Sequence, residues 1–208
     1  LAGHGDVEGL DEADDDALAL VAYTSGTTGR PKGAMLSRGN LRAGAEALVE
    51  AWEWTPDDRL VHALPMFHMH GLGAAINGSL AAGASMVVLP RFDADAVVEA
   101  AHAHGATMFF GVPTMYARLR DSGRLPELAH LRLLVSGSAP LDPVLFEAVR
   151  REAGQAPVER YGMSETVMLA SNPVQGERKA GAVGLPLPGV SIRLGEGDGV
   201  EVLGPNVF

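Results

Sequence analysis

The chain contains no cysteine. That excludes a disulfide scaffold, a thiol nucleophile and a cysteine-ligated zinc site. The absence is compatible with the cytoplasm, the expected location. No apolar run approaches the roughly 18 residues a membrane helix needs, so no membrane span is expected. No basic, apolar, small-residue leader opens the chain, so no secretory signal is expected. Basic side chains are scarce too, with 16 Lys and Arg against 26 Asp and Glu, a net charge of −10. Seven of the acids lie between Asp6 and Asp16 with no Lys or Arg among them, and without them the balance is 16 against 19. Residues 1–16 therefore read as a solvated acidic lead-in. With no basic face elsewhere, nucleic acid is not an expected partner.

What is present is globular material. Of the 208 residues, 47% are hydrophobic and 20% charged, enough to build a core. Stretches with strand character recur at 18–24, 59–64, 85–89, 107–112, 131–136 and 157–161. Helical spacing lies between them, at 38–53, 93–104, 113–121 and 142–152. Asp93 is a plausible N-cap, and Pro113 suits a first helical turn. The alternation predicts an α/β fold, a mostly parallel sheet covered by helices, over 17–175. From residue 176 Gly and Pro become dense, and two short β-like runs, 190–194 and 200–203, flank Asp198-Gly199. Residues 176–208 read as the start of a separate, truncated β-rich unit.

The densest chemical signal follows the first strand: Tyr23-Thr24-Ser25-Gly26-Thr27-Thr28-Gly29-Arg30-Pro31-Lys32-Gly33. Glycines let backbone N–H groups turn inward as an anion nest. Hydroxyls and Lys32 can add hydrogen bonds and charge for phosphates. The spacing is not a P-loop, because Lys32 lies between Pro31 and Gly33. There is no Gly-x-Gly-x-x-Gly here, and neither Ser25 nor Ser138 sits in a Gly-x-Ser-x-Gly elbow.

The loop resembles the signature of the adenylate-forming enzymes: acyl-CoA synthetases, luciferases and peptide-synthetase adenylation domains. Other segments match in that family's order. They are Pro65-Met66-Phe67-His68-Met69-His70-Gly71, Ser136-Gly137-Ser138-Ala139-Pro140-Leu141, Tyr161-Gly162-Met163-Ser164-Glu165-Thr166 and Val183-Gly184-Leu185-Pro186-Leu187-Pro188-Gly189. The resemblance implies an acid–thiol ligase. Such an enzyme joins a carboxylate to ATP, releases pyrophosphate, and then lets the thiol of CoA displace AMP. It also implies roles. Thr24, Ser25, Gly26, Thr27, Thr28 and Lys32 would cradle the β- and γ-phosphates. Gly137, Ser138, Ala139 and Pro140 would line one side of adenine. Glu159, Arg160 and Tyr161 would line the other, with Gly162 and Met163 beside the nucleotide and Ser164 at the α-phosphate. Glu165, with Thr24, would serve Mg²⁺, and Lys32, His68 and Glu165 would be the catalytic group. The family's preceding sheet, its Thr-Gly-Asp, its hinge and its small C-terminal domain have no counterpart in these residues. The chain is thus expected to be a central part of such an enzyme, its other segments in the same or a separate chain, and to turn over poorly by itself.

The acyl pocket is expected at His68, Arg118, Ser138 and Met163. With Met115 taken as 0° on a helix, Leu119 falls at about 40°, Arg118 at about −60° and Arg120 at about 140°. That phase puts Arg118 at the border of the buried side. A cation there suits a second carboxylate, and the stretch 111–119 looks most like that of malonyl-CoA synthetases. Malonate or methylmalonate is the expected acid, a fatty or aryl acid the alternative, and a nucleotide-binding fragment without turnover a third reading. The pair His68 and His70 lacks an acidic partner, so it is not read as a metal site; His68 is read as a gate and His70 as packing.

Overall fold

The computed structural model describes residues 13–24 and 31–208. Ser25, Gly26, Thr27 and Thr28 of the hydroxyl-rich loop lie outside the described residues, as does most of the acidic lead-in.

Strands β1 (Leu18–Thr24) and β2 (Lys32–Ser37) pair antiparallel as a two-stranded unit, with Thr24 opposite Lys32. This differs from the parallel alternation expected for the first strand. The reason is the connection, since a few residues can join antiparallel neighbours but a parallel crossover needs a dozen or more. Helix α1 (Arg38–Ala51) then starts at a reciprocal cap. The Ser37 hydroxyl accepts from the Asn40 backbone, and the Asn40 side chain accepts from the Ser37 backbone.

The main sheet runs β4 (Ser85–Val88), β3 (Arg59–His62), β5 (Met108–Gly111), β6 (Leu133–Ser136), β7 (Val158–Tyr161), β8 (Ala170–Ser171) and β9 (Leu185–Pro186) in space. The first five are parallel and the last two join antiparallel. The fold is therefore the expected α/β architecture. The tail divides: β9 extends the main sheet, while β10 (Ser191–Leu194) and β11 (Val200–Leu203) form their own hairpin.

Side chains that alternate along each strand feed two cores. On one face Val61, Phe109 and Leu134 pack with Val97 and Ala101 of α3 (Ala94–Ala103), Tyr116 and Leu119 of α4 (Pro113–Asp121), and Phe146 and Val149 of α5 (Pro143–Glu152). On the other, Leu60, Met108, Phe110, Leu133 and Val135 pack with Leu48 of α1, Trp52, Trp54, and Ala82 of α2 (Asn77–Ala82). A π-helical stretch, His70–Ile76, leads into α2. The close approach there requires Gly71, because a Cβ at that position would lie 2.3 Å from the Pro65 carbonyl oxygen.

Candidate functional site

In an open parallel sheet, ligands bind beyond the carboxyl ends of the strands. The sequence motifs converge at that edge. The segment from Pro65 to Gly71 follows β3, α4 follows β5, the segment from Gly137 to Leu141 follows β6, and the segment from Gly162 to Glu165 follows β7.

Two hollows open there. One, about 350 Å³, is walled by Ser138, Ala139, Pro140, Glu159, Arg160, Tyr161 and Gly162, together with Gly181 and Val183. It gathers most of the residues expected around adenine. The second, about 510 Å³, includes His68, His70, Met115, Met163, Ser164 and Val167 in its wall. Ser138, Arg160 and Gly162 belong to both. The two spaces therefore meet at one serine, one arginine and one glycine.

Arg160 is 6% exposed. Its Nη2 donates to Ser138 Oγ at 3.0 Å, and its Nε has no partner. Among the described residues no carboxylate pairs with it. Burial pushes its pKa down to about 9, which still leaves a cation at neutral pH. An unpaired charge out of water is costly, and a site that keeps one is built for an anion. Gly137 makes room for it, since a Cβ there would lie 2.3 Å from Arg160 Nε. Ser138 has φ +70°, a conformation that costs a non-glycine residue about 1–3 kcal/mol and often marks a functional turn.

Beneath the second hollow His70 is 3% exposed. Its Nδ1 lies 3.4 Å from Ser138 Oγ, its ring stacks on Phe110, and its Nε2 has no partner. Burial first, then the charge of Arg160 and neighbouring His62, hold its pKa well below the usual imidazole value. Glu159 is committed to structure: its carboxylate accepts from the Leu141 and Gly181 amides, and burial raises its pKa.

Arg118 is the correction. It is exposed, does not belong to either wall, and its guanidinium lies 5.0 Å from the centre of the Phe92 ring. The expected phase of α4 took Met115 as its inward direction, but the buried positions are Tyr116 and Leu119. Centring on those two turns the helix by about 70° and carries Arg118 outward. The cation in the hollow is Arg160, which the sequence reading had placed only beside adenine. Its signal was available. Arg160 shares a strand face with buried Val158, an unusual place for a cation.

Thr24, Lys32 and Glu165 are in neither wall. Thr24 and Lys32 flank the undescribed loop, and the Thr24 hydroxyl donates to the Lys32 carbonyl at 3.5 Å. The half-buried Glu165 side chain has no hydrogen-bond or ion-pair partner among the described residues. No group of three or more His, Cys, Asp or Glu side chains able to hold a metal occurs among them either. An all-protein cage is thus absent there, but one free carboxylate fits Mg²⁺, which usually takes one or two carboxylates plus substrate phosphates and water.

A family model described as AMP-binding enzyme matches residues 4–207. The chain is 42% identical over 195 residues to the mouse protein named malonate–CoA ligase ACSF3, mitochondrial, covering 86% of this chain and 33% of that relative. Among solved structures it matches apo MatB from Rhodopseudomonas palustris with a TM-score of 0.91 and 46% identity, over 100% of this chain and 43% of that one. A malonyl-CoA ligase ternary product complex with methylmalonyl-CoA and AMP matches with a TM-score of 0.89 and 46% identity, over 96% and 46% of the two chains. The chain thus spans about a third of the length of the curated relative and under half of the solved ones.

Proposed function

Because this chain belongs to the AMP-binding enzyme family, we propose that it is the central part of an ATP-dependent acid–CoA ligase acting on a small dicarboxylic acid, malonate or methylmalonate. The observation that carries the substrate choice is Arg160. It is a buried cation without a carboxylate partner among the described residues, at the junction of the two hollows. A plain fatty acid offers it nothing to pair with. A second carboxylate supplies a charge-assisted contact to the guanidinium.

The chemistry follows from placement. A carboxylate is a poor acyl donor because its oxygen leaves badly. One carboxylate oxygen of the acid attacks the α-phosphorus of ATP, the bond to the β-phosphate oxygen breaks, and pyrophosphate departs. The thiol of CoA then attacks the acyl carbon and AMP leaves. The residues around Ser138 to Pro140 and Tyr161 hold the nucleotide base in the first hollow. Arg160 and Ser138 hold the remote carboxylate, which leaves the other free to face the phosphates, so positioning supplies much of the rate. His68 and Met163 bound the acyl space, and Lys32 with the 24–28 hydroxyls attends the outer phosphates. Glu165, whose carboxylate is free among the described residues, would hold Mg²⁺, and the ion would supply charge neutralisation for the phosphates.

ATP–pyrophosphate exchange by the complete enzyme tests the reading, with malonate, methylmalonate, butyrate and benzoate as acids. Losing a desolvated charge pair costs about 2–5 kcal/mol, so the dicarboxylates should exceed butyrate by roughly 30-fold or more in kcat/KM. Equal or faster exchange with butyrate or benzoate contradicts it.

A further inference from the structure

Among the described residues Ser138 Oγ has two hydrogen-bonding neighbours, Arg160 Nη2 at 3.0 Å and His70 Nδ1 at 3.4 Å. The guanidinium can only donate, so Arg160 takes one of the hydroxyl's two acceptor sites. The direction of the other contact depends on the imidazole. His70 is buried and neutral, and a neutral imidazole carries one N–H. Were that proton on Nε2, it would be a buried N–H with no acceptor among the described residues, where Nε2 has no partner. Orphaned buried donors are rare in folded proteins. Placing the proton on Nδ1 gives it the serine oxygen as acceptor. Both acceptor sites of Ser138 are then filled, and its own proton has no group among the described residues left to serve. It must point into the space where the two hollows meet.

We propose that His70 is a positioning residue: by donating from Nδ1 to Ser138 Oγ, it makes the serine hydroxyl an obligatory donor to the remote carboxylate held by Arg160. The proposal rests on the dicarboxylate reading and extends it to a residue that the sequence reads as packing. The surroundings favour a fixed imidazole. Phe110 stacks on the ring at 6.2 Å with an interplanar angle of 18°, and the π-helical stretch begins at His70 itself. Thus a rigid buried ring, through a strained Ser138, sets the polarity of one hydrogen bond to substrate.

The test compares the ratio of kcat/KM for malonate to that for butyrate in the complete enzyme. The variants are His70→Phe, His70→Asn, Ser138→Ala and the double variant His70→Phe/Ser138→Ala. Phenylalanine keeps the stacked ring and removes the donor, whereas the asparagine amide can place an N–H near the position of Nδ1. The ratio should fall about tenfold in His70→Phe, mainly through KM for malonate, and recover most of that loss in His70→Asn. Ser138→Ala should show a similar fall, and the double variant should be no worse than Ser138→Ala alone. A proportional loss with both acids in His70→Phe, without recovery in His70→Asn, reduces His70 to packing and overturns the proposal. So does a double variant in which the two losses multiply. If the wild-type enzyme itself shows no preference for malonate, the dicarboxylate reading fails and the proposal falls with it. A wild-type preference that His70→Phe leaves intact sinks the proposal alone. Should His70→Phe not fold, the contrast between His70→Asn and Ser138→Ala still decides: a donor role predicts a near-normal ratio only in the former.

Discussion

The parallel sheet has an arginine at each end, and the two live differently. Arg132 stands where the strands begin, just before β6. Its Nε and Nη2 each donate to an Asp58 carboxylate oxygen at 2.6 Å. Its remaining donors reach the carbonyls of Trp52 and Glu53. Asp58 also accepts from the Thr55 amide and the Thr107 hydroxyl. This one cluster ties together the starts of β3, β5 and β6. Arg160, at the opposite ends of the strands, is more deeply buried, yet its one side-chain hydrogen-bond partner among the described residues is a neutral hydroxyl. The difference separates structure from function. A charge that finds its full complement within the fold is a fastening, and one that does not is reserved for something outside it.

The comparison breaks if the Arg132 end proves dispensable. Asp58→Ala leaves Arg132 without its carboxylate and should cost about 3 kcal/mol in denaturant unfolding, with the malonate preference retained by the folded fraction. At the other end the effect should land on substrate. Gly137→Ala puts a Cβ against the guanidinium. It should lower kcat/KM for malonate by roughly 10- to 100-fold, about 1.4–2.8 kcal/mol, with a smaller effect on butyrate.

Acid should find the same contrast. Hydrogen bonds from Arg132, Thr107 and Thr55 outweigh burial and hold Asp58 at about 2, below the model-peptide value of 3.8. A carboxylate depressed in the folded state lends stability that is complete above the unfolded pKa and is lost as pH falls through the folded one. Wild type should therefore lose stability more steeply than Asp58→Ala between about pH 4 and pH 2, measured by urea titration. The smallest expected effect belongs to Arg118→Leu. An exposed cation over one aromatic ring is worth about 0.5–1 kcal/mol, and removing it should leave the malonate-to-butyrate ratio unchanged. A collapse of that ratio would return Arg118 to the acyl site.

Much of the α/β frame was legible because apolar runs and capping residues are local signals. The ranges 18–24 and 113–121 match β1 and α4 to the residue. The stretch from His70 to Ala82 was not legible. Gly71, Gly73 and Gly78 are poor helix formers, and close packing explains them: Gly71 lies against Pro65, Gly73 against Met69 and Val167, and Gly78 against Trp54. Strand β2 was hidden inside a motif whose Pro31 and Gly33 read as loop. The sequence motifs include Ser138 to Pro140 and Glu159 to Gly162, which meet around the first hollow. They misjudged the cation of the second. Helix phase was anchored on the wrong residue, and the position of Arg160 between two hollows arises only when β6 and β7 lie side by side.

The most direct test of the central claim is the substrate ratio of Arg160→Met in the complete enzyme. Methionine keeps much of the buried volume and removes the charge. The account predicts that kcat/KM for malonate falls by roughly 30-fold to several thousand-fold, corresponding to about 2–5 kcal/mol, while that for butyrate changes far less. An equal fall for both acids, or an unchanged malonate rate, would contradict it.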